Sequence, residues 1–183
     1  MRSNDFWKSP VWAADSVVAI AYQNMFKYSE LLDNAVWDTQ DASVLADQEN
    51  DLEGNATLEQ ITITNDNQGQ FRYYNGGAGI TTTENTLYYL SWDAKRGTGT
   101  EATYAVLDAT ASQWITAQTS YYSEISATVS RVTKTFTTPA SCIKVYIYLV
   151  DAGDGASGTV FVGRAQINTN NSLYIETTTD PVE

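Results

Sequence analysis

Hydrophobic and polar positions alternate with a period of two through most of this chain, the signature of strands with one buried face. Residues 86–95, TLYYLSWDAK, put Tyr88, Leu90, Trp92 and Ala94 on one side. Residues 57–64, TLEQITIT, divide into Thr57, Glu59, Ile61 and Ile63 against Leu58, Gln60, Thr62 and Thr64. Residues 142–150, CIKVYIYLV, divide into a set led by Cys142, Lys144, Tyr146 and Tyr148 and a more apolar set, Ile143, Val145, Ile147 and Leu149. The second set is predicted to face the core. Further strands are predicted at QFRYY from Gln70, at 102–108, 113–119 and 127–137, and at 159–167, with 173–177 closing a sheet beside the N-terminal region. The segments between them, NDNQG at 65–69, NGGAG at 75–79, RGTGT and DAGDGASG at 151–158, carry the Gly and Asn residues that turns with positive φ require. Nine or so short strands separated by such turns predict an all-β protein, a jelly-roll β-sandwich.

The first 26 residues break this pattern. They carry Phe6, Trp7, Trp12, Val17, Val18, Ile20, Met25 and Phe26, with turn chemistry only at Ser9-Pro10. Ser9-Pro10 could open a helix, whereas the β-branched run from Ser16 to Ile20 favours extended chain. The segment therefore reads as an N-terminal extended arm, 1–26, ahead of a jelly-roll domain, 27–183. Phe6, Trp7, Trp12, Val17 and Ile20 are its candidate anchoring residues, for a partner surface or for its own domain.

Composition adds direction. Hydrophobic residues make up 43% of the chain, enough for a core, and Thr, Ser, Asn and Tyr fill the polar positions. The formal charge is −12. Between residues 28 and 66 stand Glu30, Asp33, Asp38, Asp41, Asp47, Glu49, Asp51, Glu53, Glu59 and Asp66 without one Lys or Arg. Such a surface repels phosphate backbones, so nucleic acid is not an expected partner. The run reads as a soluble outer face, with Asp47, Glu49, Asp51 and Glu53 forming a stripe at every second position. No signal peptide is visible at the start, and the longest apolar stretch, 16–22, is too short to span a bilayer, so no membrane partner is expected.

Catalytic chemistry finds little material. The chain has no His, which removes Ser-His-Asp and Cys-His nucleophilic systems. Its single cysteine, Cys142, opens an apolar strand and reads as a small buried hydrophobe. NGGAG follows a strand but lacks the Lys-Ser/Thr ending of a phosphate-binding loop. The carboxylates stand mostly in turns and loops, without the paired arrangement of an acid–base couple. Asp151 to Gly155, DAGDG, offers oxygen atoms to calcium but lacks the further acids of an EF-hand loop. Aromatic rings are better placed for recognition, since a flat Tyr or Trp on an exposed face covers the C–H face of a sugar. Tyr73-Tyr74, Tyr121-Tyr122 and Trp114 are the candidates. Alternation sends one ring of each adjacent pair inward, and Tyr74, Trp114 and Tyr122 are taken as the glycan- or partner-facing set.

Four phrases, in order, carry a resemblance: NMFKYSELLDNAVW at 24–37, YYLSWDAKRG at 88–97, RVTKTFTT at 131–138 and VFVGRAQINTNNSLYIETT at 160–178. Together they resemble a β-sandwich module of tailed-bacteriophage structural proteins, itself similar to carbohydrate-binding jelly rolls of glycoside hydrolases. The resemblance spans about 150 residues. It implies a non-enzymatic virion protein, a capsid decoration (cement) protein docked through its arm. A tail- or fibre-associated module, or a carbohydrate-binding module for a host surface glycan, is the alternative. The implied partners are other virion proteins (major capsid or tail protein), further copies of the chain, as in a trimer, and a glycan. The implied location is the virion, assembled in the host cytoplasm. No cofactor is expected. Some relatives of this kind hold a structural calcium with an early Glu and a late acid. Glu30 has the place of the early Glu, and Gln166 stands at the late position, which weakens that site.

Overall fold

The computed structural model describes residues 24–64, 69–151 and 157–170. Eleven strands stand among them: β1 (Trp37–Gln40), β2 (Ala42–Asn50), β3 (Ala56–Ile63), β4 (Gln70–Tyr73), β5 (Ile80–Thr81), β6 (Leu87–Arg96), β7 (Thr103–Asp108), β8 (Gln113–Ser120), β9 (Ser130–Thr137), β10 (Lys144–Asp151) and β11 (Gly158–Asn168). They form two antiparallel sheets. The first runs β1-β4-β10-β7-β8, with β5 paired to β10, and the second runs β2-β3-β11-β6-β9. Most neighbours are distant in sequence, the crossing connectivity of a jelly-roll sandwich rather than a meander.

Alternation places the core where the pattern requires. Tyr88, Leu90, Trp92 and Ala94 of β6 face Phe71, Tyr73, Val145, Ile147 and Leu149 of the opposing sheet within one hydrophobic cluster. Trp92 stands edge-on to Tyr121 at 5.0 Å and tilts against Tyr104 at 5.7 Å. A second aromatic group joins Phe26, Trp37, Phe71 and Tyr73 at centroid distances of 5.1–5.2 Å. Offset and edge-on rings at these separations add attraction beyond the area they bury.

Phe26 is fully buried and Asn24 nearly so, although both stand in the stretch read as the end of the arm. Asn24 donates to the Ala165 carbonyl at 2.8 Å and accepts from the Ile167 amide, while the Met25 amide donates to Ile167. Residues 24–29 thus lie along the half of β11 that β3, paired only with residues 158–162, leaves open. The anchoring candidates Phe6, Trp7, Trp12, Val17 and Ile20 and the strand expected at 173–177 lie outside the described residues.

Other expectations are corrected. Ile143 was assigned to the core face of its strand but is 61% exposed, because β10 starts at Lys144 and Cys142, fully buried, turns inward instead. The acidic run is not simply a soluble outer face. It contains β1 and β2, and within it Asp51 and Glu59 are buried. Glu59 shares the inward side of β3 with Ile61 and accepts the amides of Leu32 and Asp47. Burial, with Asp33 and Asp47 nearby, raises its carboxyl to about 7.

Candidate functional site

The first sheet turns Trp37, Phe71, Tyr73, Val145, Ile147 and Leu149 inward. The intervening residues of the same strands therefore share its outer face. Register aligns Asp38 of β1 with Arg72 of β4, and Arg72 with Tyr148 of β10. Leu107 of β7 stands opposite Tyr146 on one side and Trp114 of β8 on the other. Four inter-strand steps separate β1 from β8, about 19 Å of face.

Across it the side chains interlock. Trp114, 49% exposed, meets Tyr148 edge-on at 5.4 Å. Tyr148 accepts a hydrogen bond from Arg72 Nη1 at 3.1 Å. The guanidinium lies 4.7 Å from the Tyr74 ring centre and 5.6 Å from that of Tyr148, and gives its Nε and Nη2 hydrogens to Asp38 Oδ2 at 3.0 and 2.8 Å. Tyr74 packs on Tyr146 at 5.1 Å. Planar groups flanked by hydrogen-bonding ones suit a ligand with both apolar and hydroxyl surfaces.

The NGGAG loop fastens one end of the row. Asn75, Gly76, Gly77 and Gly79 all have positive φ, as the turn chemistry predicts. The Gly77 carbonyl accepts from Tyr146 Oη at 2.9 Å and from Lys144 Nζ at 3.3 Å. At Gly79 a Cβ would stand 2.9 Å from the Tyr146 ring and 2.7 Å from the Val145 carbonyl, so a glycine is required for the loop to lie this close. At the other end Asp151 is buried, with hydrogen bonds to Gln118 and Gln70 and with Arg72 nearby; burial raises its carboxyl above the ordinary range.

Tyr74 and Trp114 are therefore brought onto one face. Tyr122 is not. It packs beneath Arg96, whose guanidinium is 4.0 Å from the ring centre, and its hydroxyl donates to the Gly99 carbonyl at 3.0 Å. That ring holds the β6–β7 connection. Sequence reasoning missed Asp38, Arg72, Tyr146 and Tyr148. The only available signal was the polar half of the β10 alternation, Lys144, Tyr146 and Tyr148, which gains meaning when β4 and β8 come alongside.

Glu30 has a different environment from the one a calcium would need. The early and late phrases do meet: the Ala165 amide donates to the Ser29 carbonyl. There β11 bulges between Gly163 and Gln166, and Arg164 takes a positive φ of 47°. Its guanidinium reaches Glu53 at 2.6 Å, Asp93 at 3.5 Å, Glu30 at 3.6 Å and Asp51 at 3.7 Å. Arg131 adds a second cation at 2.9 Å from Asp93. Burial disfavours a charged Asp51, but hydrogen bonds from Asn55, Thr57 and Glu53 and the Arg164 charge outweigh it and hold the carboxyl below its usual value. The donor set does not fit calcium, because an arginine already occupies its centre. Among the described residues no group of three or more His, Cys, Asp or Glu could hold a metal ion. Cys142 is buried as expected, and burial raises its thiol, which leaves it a poor nucleophile.

Two open depressions, of about 330 Å³ beside Met25 and Tyr73 and about 470 Å³ beside Thr110, Ile143 and Lys144, do not have Trp114 in their lining. The aromatic row itself is a face rather than a cavity, and its claim rests on chemistry. No helix among the described residues is long and apolar enough to cross a membrane.

No protein-family model matches the chain, and no curated protein matches it. Solved structures do. The CBM22-1 xylan-binding domain from Paenibacillus barcinonensis Xyn10C aligns over 84% of this chain and 98% of its own, with a TM-score of 0.55 and 10% identity. The CBM22-1–GH10 modules of a Clostridium thermocellum endo-1,4-beta-D-xylanase, complexed with xylohexaose, align over 81% of this chain but 29% of theirs, with a TM-score of 0.57 and 13% identity. The enzymatically active domain of bacteriophage CBA120 tailspike protein 4 aligns over 80% of this chain and 21% of its own, with a TM-score of 0.56 and 15% identity. At such identities the likeness is one of fold: the chain is a β-sandwich of the kind seen in carbohydrate-binding modules, in isolation, within enzymes and within a phage tailspike.

Proposed function

We propose that the protein is a non-catalytic carbohydrate-binding β-sandwich that lays a glycan along the outer face of its first sheet. The observation that carries this reading is the continuous row Trp114–Tyr148–Arg72–Tyr74–Tyr146. It offers an exposed indole at one edge, the partly exposed rings of Tyr74 and Tyr146 and guanidinium donors within one plane of strands, joined through Tyr148, which is itself buried. Fold-level likeness to xylan-binding modules supports it only by analogy. Screening the full chain on a glycan array, followed by titration of each hit, tests it directly. Trp114→Ala and Tyr146→Ala should weaken binding at least tenfold, and Tyr122→Ala should not. Absence of binding to any glycan, or equal losses for all three variants, would reject the reading.

A second reading concerns setting rather than chemistry: the module is a part of a phage virion. The ordered run of four phrases favours it, together with fold-level likeness to a tailspike domain. In this reading residues ahead of Asn24 dock the module to a capsid or tail protein, and several copies assemble with closed symmetry, a trimer among the simplest. Deleting residues 1–23 keeps Asn24 and Phe26, which the sandwich needs. The truncated protein should fold and bind glycan but fail to join virions; normal incorporation would reject the anchoring role.

A further inference from the structure

Every cation described on the outer face of the first sheet has a neutralising or capping partner. Arg72 has two of its hydrogens on Asp38 and a third on Tyr148, and its flat surfaces lie near Tyr74 and Tyr148. Lys144 donates to the Gly77 carbonyl and rests 5.6 Å from the Tyr146 ring centre. The two cations are matched by two carboxylates, Asp38 and Asp151, within a chain of net charge −12. An approaching anion would meet no unopposed positive charge, and the field of the whole protein would repel it. Guanidinium hydrogens not held by Asp38 or Tyr148 remain suited to hydroxyl oxygens.

Resting on the sugar-binding reading, we propose that Asp38 sets ligand class: by holding Arg72 it commits the face to neutral glycans and excludes uronate-bearing ones. Asp38 lies on β1 at the margin of the sheet and is partly exposed, so it is replaceable without opening the core. It acts through Arg72, as a specificity residue rather than as a stacking platform. Removing its charge leaves Arg72 in position, held by Tyr148 and the two rings, with its positive charge free to pair with a sugar carboxylate, where a bidentate geometry is available.

The test compares xylohexaose with hexagalacturonate, titrated into the full chain at one fixed ionic strength. Wild-type protein should bind the neutral hexamer at least tenfold more tightly than the acidic one. Asp38→Asn should raise affinity for the acidic hexamer relative to the neutral one by at least tenfold, with Asp38→Ser as a second variant should Asn perturb the strand. Asp41→Asn changes net charge equally from the exposed β1–β2 turn and should leave the ratio unchanged. Adding Arg72→Gln to Asp38→Asn should abolish the gain. The inference is overturned if wild-type protein binds the acidic hexamer as well as the neutral one. It is equally overturned if Asp41→Asn shifts the ratio as much as Asp38→Asn, or if the gain survives without Arg72. If the glycan array shows no sugar bound at all, it is the sugar-binding reading that fails, and this inference falls with it.

Discussion

Two faces of one sandwich handle charge in opposite ways. On the outer face of the first sheet, Arg72 lies among tyrosines and is partly exposed, as is its partner Asp38. On the side of β6 away from Trp92, Arg164 is buried among Glu30, Asp51, Glu53 and Asp93. The first arrangement leaves aromatic area and donors available to a ligand. The second uses its charges on each other, tying the 24–30 segment, the β2–β3 turn, β6 and β11 at a bulge. The contrast teaches that a carboxylate count says little about function: the same residue types form a recognition surface where aromatics accompany them and a structural clamp where they close around an arginine.

The sharpest way to break this contrast is Arg164→Ala. Removing the cation leaves buried Asp51 with hydrogen bonds but no opposing charge, while Asp93 keeps Arg131, so the cost falls at the low end of a broken buried pair, about 3 kcal/mol. A denaturant midpoint should fall accordingly, with glycan affinity of the remaining folded protein unchanged; loss of binding without loss of stability would invert the assignment.

Glu59, the other buried acid of the second sheet, comes next. Its folded-state value of about 7 lies above the ordinary 4.5, so between those pH values the folded protein keeps a proton that the unfolded chain has released. Stability should therefore fall as pH rises from about 4.5 to 7 and level off above it, by at most about 3 kcal/mol from this residue. In Glu59→Gln that part of the pH dependence should vanish, as read by thermal melts across the window. A melt series in which the variant keeps the wild-type slope would show that other groups titrate there.

On the recognition face the expected change is in binding alone. Trp114→Ala should cost on the order of 2 kcal/mol of affinity, about thirtyfold, as a truncated aromatic anchor typically does. The melting temperature should hardly move, since half of the ring is already in water. Smallest of all is the response to a chelator. With Arg164 at the centre of the Glu30 cluster, EDTA should leave the melting temperature unchanged, and a drop reversed by calcium would mean that the cluster holds metal after all.

Legibility in the sequence followed the range of the interactions. The strand at β6 was readable because Tyr88, Leu90, Trp92 and Ala94 state their own alternation. The NGGAG turn was readable because only such residues accept its backbone. Strand β2 and the turn after it were not, because their alternating acids look like a soluble stripe until Arg164, more than a hundred residues later, stands beside Asp51 and Glu53 of the turn. No local signal announces that Arg164 sits in a bulge with positive φ. Likewise Trp114 and Tyr74 could be singled out as aromatic, but Asp38, Arg72 and Tyr148 become one row only through the order β1-β4-β10-β7-β8, in which only β7 and β8 adjoin in sequence. The surroundings of Tyr122 were hidden for the same reason, since Arg96 reaches its ring from β6, a strand not adjacent in sequence to the turn after β8.

Amide and indole NMR shifts of the full chain, followed while adding a glycan selected by the array, test the central claim most directly. The account predicts that the largest shifts fall on the Trp114 indole N–H and on amides around Arg72, Tyr74, Tyr146 and Tyr148, with the Arg164 cluster silent. Shifts centred on Glu30, Asp51 and Arg164, or on the Tyr122–Arg96 contact, would contradict it.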